Sequence, residues 1–345
     1  MTNQETIKSN LIKLGYKLKD CGNHWRTNAA YRGGTNPTAL LIYKDTGVWT
    51  DFVRSSGASL PFKELVSATL KTNDPNDLKD FLSGISTENQ HEHQDKMAAE
   101  KIYPESILNK LLPHYIFYNK KGIDSSILVS LKSGLATEGV MYQRYVFPIY
   151  NSVGQIHGFS GRDMLNKDGR PKWKLVGKKS EWIYPTYVKV NSELYFYNKI
   201  LENKSVILVE SIGDMLALHS CGIYNCLVIF GTSLSSKLVG FLLSLDINYI
   251  CISLNNDSNK DYNTGRVGSI KSIIKLLNYF PVSKLKLHLP TSNDFGEMSQ
   301  EEIKNWHKDI ENQNIDTESL KEEVALLYKN KEISKNLHSS FNKNL

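Results

Sequence analysis

From residue 206 to residue 289 the chain alternates short apolar runs with helix-length segments, and this alternation narrows the fold more than any other feature. Strands are predicted at 206–209, 226–230, 248–254 and 284–289, with helices at 213–221, 234–245 and 266–279 between them. Strands separated by helical segments favour a parallel sheet flanked by helices. In such a sheet the carboxyl ends of the strands share one edge, where ligands bind. Acids and amides follow three of these strands. "VILV" runs into Glu210, with Asp214 one turn later; "YICISL" runs into Asn255, Asn256 and Asp257; "KLKLHLP" is followed by Asp294 and Glu297. Residues distant in sequence are thereby predicted to form one acidic cluster suited to Mg²⁺, a hard cation that takes oxygen ligands. Single acids after strands also act as turn formers and helix caps, so the signal lies in three strand ends together.

The 345 residues leave room for more than this sheet. Residues 1–70 read as a small β-rich unit with flanking helices, 71–101 as a polar linker with one short helix expected at Asp77–Leu82, and 102–200 as a mixed unit of helices and a hairpin. Residues 201–310 hold the parallel sheet, and 311–345 form a tail with one helix (Glu318 to Tyr328) and a polar end expected to lack order. The fold class is therefore α/β with α+β. The net charge of +6 is concentrated: eight Lys/Arg stand against three acids between Met141 and Trp182. Four cysteines without paired spacing give neither a disulfide framework nor a zinc pattern. The polar start MTNQETIKSN lacks a signal-peptide core, and no run is long enough to span a membrane. A cytoplasmic location, or host cytoplasm for a viral protein, is the expectation.

The residues around Glu210 resemble the Toprim domain, the fold shared by bacterial-type primases, type IA and II topoisomerases and some nucleases. Its hallmark is a Glu after the first strand and an Asp-x-Asp after a later one. Glu210, Gly213, Asp214 and the turn Gly231-Thr232-Ser233 match. The Asp-x-Asp is altered, with Asn255 in its first place and Asp257 in its second. An amide brings no charge, so metal is expected to be held less strongly or with more help from substrate phosphates. "SNDFGEM" resembles the last Toprim acidic segment, with Asp294 and Glu297 matching and Gly296 replacing a further acid.

Upstream, "RYVFPIYNSVGQIHGFSGRDM" and "PKWKLVG" form a basic hairpin unit, with strands at Tyr145–Tyr150 and Gln155–Ser160. Arg144, Arg162, Lys172 and Lys174 are interleaved with Tyr142, Tyr145, Trp173 and Trp182. Cations with aromatic faces suit single-stranded nucleic acid. A β-rich core with solvated lysines has the same composition. The ordered motifs, Arg144 to Ile149, Gly158 to Arg162 and Lys172-Trp173, resemble the amino-terminal half of the DnaG-type primase polymerase core. The resemblance covers about residues 102–300.

What this resemblance implies is an RNA primase. Glu210, Asp257 and Asp294 are the expected catalytic residues. Asp214 and Asn255 join them as ligands of Mg²⁺ or Mn²⁺. Arg144, Arg162, Lys172, Lys174 and Trp173 are expected to hold the single-stranded DNA template and nucleoside triphosphates. The first domain of those primases is a zinc ribbon. Here the layout around His24-Trp25 and Trp49 is similar but the ligand positions are not, since Ala29 and Tyr31 stand there. A ribbon-like fold packed on Trp25, Tyr43, Trp49 and Phe52, without zinc, is expected, and compactness with missing zinc suggests a bacteriophage enzyme. Arg26 and Arg32 are candidates for template phosphates or a solvated strand face. His91 and His93 fall in the linker without further ligands. The short tail implies a replicative helicase acting in trans. The stripe Leu320, Val324, Leu327 either docks such a partner or packs on the chain's own core. Two other readings remain open: a Toprim nuclease, and a non-catalytic single-strand-binding module with a degenerate site.

Overall fold

The computed structural model describes residues 3–51, 60–72, 74–83, 101–165, 170–257, 263–330 and 332–344. The chain divides into two compact units, Met1–Ala98 and Ala99–Leu345.

In the first unit, helix α1 (Asn3–Lys13) precedes strands β1 (Lys19–Asp20), β2 (His24–Thr27), β3 (Leu40–Tyr43) and β4 (Trp49–Asp51), and helices α2 (Phe62–Leu70) and α3 (Pro75–Leu82) follow. The strands pair in sequence order as an antiparallel sheet. Trp25, Ile42, Trp49, Phe62 and Leu65 are buried in its core, with Ile7 and Leu11 from α1. Tyr43 is only half-buried, and Phe52 lies outside the described residues. Asp51 is 1% exposed. It accepts from Arg32 Nε at 2.7 Å and Nη2 at 3.0 Å, and from the Tyr31 hydroxyl at 2.7 Å. Arg32, a candidate for template contact, thus neutralises a buried carboxylate of its own fold. Helix α3 falls within the segment read as linker, and it packs Leu78 and Phe81 onto this core. His91 and His93 are outside the described residues.

The second unit begins with β5 (Leu111–Leu112), α4 (Ile116–Asn119), α5 (Ser125–Ser130) and β6 (Gly134–Ala136). The hairpin β7 (Arg144–Tyr150) and β8 (Ile156–Asp163) follows, then β9 (Trp173–Val176) and α6 (Tyr195–Asn203). Strands β5 to β9 make a five-stranded antiparallel sheet in sequence order. The next elements are β10 (Ser205–Val209), α7 (Ile212–Ser220), β11 (Cys226–Val228), α8 (Ser236–Leu243), β12 (Tyr249–Ile252), α9 (Thr264–Leu276) and β13 (Leu285–Leu287). These four strands form the parallel sheet, in the order β11-β10-β12-β13. Helices α10 (Gln300–Asp309), α11 (Thr317–Lys329) and α12 (Lys335–Asn344) complete the unit.

Strand side chains alternate between faces, and β10 is buried along its whole length. Ile207 and Val209 enter a core shared with Tyr145, Phe147, Trp182 and α7. Val206 and Leu208 enter a second core with α8, α9, α11 and α12. A strand buried on both faces reads as a continuous apolar run, which is why the sequence marked it. The antiparallel sheet and one face of the parallel sheet therefore share one core.

Leu320, Val324 and Leu327 are buried in the second core, and Glu323 clamps Arg266 of α9 through two contacts of 2.7 Å. The stripe is packed on the chain itself and offers no docking face. The polar end expected to lack order instead forms α12, with Phe341 buried. Among the described residues, no helix is long and apolar enough to cross a membrane.

One buried group makes the fold acid-sensitive. His219 of α7 stacks on Phe196 at 4.9 Å, and neither ring nitrogen has a hydrogen-bond partner among the described residues. Burial pushes its pKa down to about 3. The unfolded chain, with a histidine pKa of about 6.5, then binds the proton first, so stability falls as the pH drops below that value. Denaturant titrations at pH 7 and pH 4.5 are expected to cost the native chain roughly 3 kcal/mol more than His219→Phe, from about two pH units of unmatched protonation. An equal loss in both proteins would remove His219 as the cause.

Candidate active site

Strand β10 lies between β11 and β12, so Glu210 leaves the sheet at the middle of its carboxyl edge. The next residue, Ser211, caps α7 in a reciprocal capping box. Its backbone amide and hydroxyl donate to Asp214 Oδ2 at 3.0 and 2.7 Å, and the Phe295 amide donates to Asp214 Oδ1 at 3.3 Å. Asp214 is 2% exposed. Its oxygens are thus engaged in holding the start of α7 against the Asp294–Phe295 turn. Burial raises its pKa to about 6, opposed by the Ser211 hydrogen bond. Glu210 is pushed up to about 7, first by burial and then by the charges of Asp214 and Asp257; the Asn255 amide and Lys172 oppose the shift. The centre of the edge therefore carries more negative charge than its surroundings stabilise.

The loop after β12 is pinned by amides. Asn256 donates from its backbone to Asn293 O at 2.8 Å and from its side chain to Pro290 O at 3.1 Å, joining the loops after β12 and β13. Asn263 caps α9 by accepting from Arg266 N at 2.9 Å. It also accepts from Asp257 N at 3.2 Å and donates to Asn256 Oδ1 at 2.9 Å. Two glycines of α9 allow the close approach this needs. A Cβ at Gly265 would overlap the Asn255 carbonyl oxygen, and one at Gly268 would lie 2.6 Å from Thr232 Cβ. One helix surface thus seats both the Asn255–Asp257 loop and the Gly231–Ser233 turn. Asp294 faces Lys172 at 3.8 Å. Glu297 is exposed and accepts from Asn293 Nδ2 at 2.8 Å. Asp261, a further acid in the sequence after Asp257, lies outside the described residues.

The expected nucleic-acid residues divide between two faces of the antiparallel sheet. Arg162, Lys172 and Trp173 line a cavity of about 80 Å³ with Asp214, Asp294 and Phe117. The Arg162 guanidinium lies 6.0 Å from the Trp173 ring and 5.9 Å from that of Phe117. Trp173 also lines an adjoining cavity of about 190 Å³ with Ser160, Glu210, Ser211, Phe230 and Gly231. Lys174 follows Trp173 on the same strand and so takes the other face. Its ammonium donates to Val140 O at 2.7 Å beside a separate, largely apolar cavity.

Arg144 departs from expectation as well. It is 3% exposed. It donates to Gly161 O at 3.1 Å and Pro171 O at 3.0 Å, and it lies 3.9 Å from buried Asp163. It is a strut of the sheet. Tyr145 and Trp182 are core residues with no face open for stacking. A Cβ at Gly158 would lie 2.4 Å from the Trp182 ring, and one at Gly161 would lie 2.8 Å from Met141 Sδ.

Sequence reading missed the positioning residues Ser211, Asn263, Gly265 and Gly268, and the cation Lys179. Lys179 donates to Phe230 O at 3.2 Å. Burial lowers its pKa, and the charge of Glu210 opposes that. Two glycines three apart at the start of an apolar helix were a usable sign of close packing. Nothing in the sequence marked Lys179.

Among the described residues, no three His, Cys, Asp or Glu side chains are grouped so as to hold a metal ion by themselves. The donors at the edge are oxygens, as a hard cation requires. Glu210 and Asp257, on adjacent strand ends, are close enough to raise Glu210's proton affinity. Their carboxylate oxygens are of the kind a divalent cation takes, and further oxygen donors would be needed to complete its coordination.

No family model matches the chain. Over 131 residues it is 34% identical to the DNA primase of Borreliella burgdorferi, covering 35% of this chain and 23% of the relative. Over 107 residues it is 33% identical to the DNA primase of Legionella pneumophila, covering 29% and 17%. The matched segments thus span less than a quarter of either relative's length. Among solved structures, the zinc-binding and RNA polymerase domains of the Aquifex aeolicus primase align over 100% of this chain and 92% of that one. The TM-score is 0.50 and the identity 18%. That likeness bears on fold, and it agrees with a mixed α/β chain holding antiparallel amino-terminal sheets and a helix-flanked parallel sheet. Part of this chain is homologous to DnaG-type DNA primases.

Proposed function

We propose that this protein is a DNA primase that joins ribonucleotides on a single-stranded DNA template. The observation that carries the reading is the meeting of the Glu210 edge with the Lys172–Trp173 strand at adjoining cavities. Homology to DNA primases supports it. Nucleotidyl transfer needs negative oxygens held together while charge develops on them, which fixed cations and a divalent metal provide.

In the proposed reaction the 3′-hydroxyl oxygen of the primer attacks the α-phosphorus of a nucleoside triphosphate. The bond from that phosphorus to the bridging oxygen breaks, pyrophosphate leaves, and the hydroxyl proton passes to water. Glu210, Asp257 and Asp294 are the proposed ligands for Mg²⁺ or Mn²⁺, which when bound lowers the charge on the reacting oxygens. Asp214 aligns these groups by fixing the start of α7 and the Phe295 turn. Arg162 and Lys172 neutralise phosphates, and Trp173 offers a partly open ring for a base. Arg144 and Lys174 act through the sheet's shape. A helicase supplied in trans remains part of the proposal, its docking surface lying elsewhere than the buried Leu320 stripe.

A reaction with one label on the template and another on the ribonucleotides separates the readings. Label entering new short strands supports a primase. Shortened template without nucleotides supports a nuclease, and retained template with neither change supports a binding module.

Asn255 gives a further test. Asn255→Asp adds a carboxylate beside Glu210, and at separations of a few ångströms a full charge alters cation affinity by about 1–2 kcal/mol. The Mg²⁺ concentration for half-maximal synthesis is expected to fall about tenfold. An unchanged Mg²⁺ requirement would place residue 255 outside the metal's reach.

A further inference from the structure

The parallel sheet is electrically polarised across Glu210. On its β12 side stand the acid and amide of the next strand end, Asp257 and Asn255. On its β11 side stands Lys179, whose ammonium senses the opposite charge of Glu210. Lys179 reaches that place by a built path. Gly177 turns the chain after β9 at φ 113, where a side chain would strike His157 O at 2.7 Å. The short turn Lys179–Glu181 follows, and Trp182 anchors it by packing on Phe230 at 4.9 Å.

The Lys179 ammonium bonds the carbonyl of Phe230, which has a left-handed φ of 54, and a Cβ on Gly231 would lie 3.5 Å from it. The Gly231 amide in turn donates to Glu210 O at 3.2 Å. Lys179 is therefore fixed to the turn that borders the cavity of about 190 Å³ between Trp173 and Glu210. Glu210 is the carboxylate whose charge acts on it. A divalent cation at Glu210 would claim that charge and leave Lys179 needing another anion.

We propose that Lys179 binds the β- and γ-phosphates of the incoming nucleoside triphosphate, so that the leaving pyrophosphate lies on the β11 side of Glu210 and the metal on the β12 side. This inference rests on the polymerase reading and adds to it the orientation of the substrate. A lysine is a compact cation suited to a terminal phosphate. Its loss is expected to remove a charge-assisted contact that the α-phosphate does not share.

The test is direct binding, in Mg²⁺, of an N-methylanthraniloyl-labelled ATP and of the matching AMP, followed by fluorescence anisotropy. Lys179→Gln is expected to weaken triphosphate binding about tenfold or more, leave monophosphate binding and the melting temperature unchanged, and be largely rescued by Lys179→Arg. Equal weakening for both nucleotides would mean that Lys179 only shapes the turn, and would overturn the proposal. Unaltered triphosphate binding in Lys179→Gln would overturn it too, leaving the polymerase reading intact. Failure of the native protein to bind triphosphate would overturn both.

Discussion

Glu210→Gln is expected to reduce primer synthesis by about a hundredfold to a thousandfold, the scale on which removal of one electrostatic stabiliser lowers catalysis, while the metal-free protein becomes more stable. The two effects have one cause. Burial, Asp214 and Asp257 together push the Glu210 carboxyl up to about 7. Above that pH its charge is held at a cost, because the unfolded chain ionises near 4.5 without such neighbours. The amide is close in size and carries no charge. Relief of the repulsion should raise unfolding stability at pH 8 by on the order of 2 kcal/mol, allowing for the side chain's partial exposure. Metal-free thermal melts and steady-state synthesis rates on the same preparations check both halves. Loss of synthesis with a lowered melting temperature would make Glu210 a structural residue. Full synthesis would remove it from the chemistry.

Gly265→Ala is expected to be the most damaging single change to the fold near the site. The added methyl would occupy the Asn255 carbonyl position, and neither backbone can retreat easily. Gly265 is in the first turn of α9, whose cap Asn263 also holds Asp257 N, and Asn256 is bonded to the loop after β13. Overpacking in a fixed core typically costs about 1–3 kcal/mol; two backbones in conflict should reach the upper end or beyond it. Denaturant unfolding of Gly265→Ala should give this loss together with a higher Mg²⁺ requirement for synthesis. Native stability in the variant would mean that the α9 start moves freely, and the rigid seating of Asp257 would have to be abandoned.

The parallel sheet was legible because its strands are continuous apolar runs, buried on both faces, that alternate with helix-length segments. The β7–β8 hairpin was legible from its turn, and the acids at the strand ends were found by topology alone. The cations were harder. Lys174 and Trp173 are neighbours on one strand, so alternation alone forbids them the same face. Composition placed both near the nucleic acid. Arg144 stands in a motif-like setting, yet its guanidinium closes the interior of the sheet against Asp163. Asp214 shows the same limit: helical spacing brought it to the site, but only the Ser211 and Phe295 amides reveal that its oxygens are engaged. Lys179 was invisible because its relation to Glu210 depends on the Gly177 turn and the Phe230 carbonyl, which are distant in sequence. In the tail, the Leu320 stripe was read correctly as an apolar face, but it packs into the core that α8, α9 and α12 share, a choice that periodicity does not determine.

The central claim is that the acidic edge and the Lys172–Trp173 strand form one template-directed polymerase site. The most direct measurement is synthesis from unprimed single-stranded DNA templates of defined sequence, with four labelled ribonucleoside triphosphates, in Mg²⁺ and in excess chelator. The account predicts short RNA products complementary to the template, formed in Mg²⁺ and absent with chelator. Template bound and intact, with no ribonucleotide joined in either Mg²⁺ or Mn²⁺ on any sequence, would contradict it.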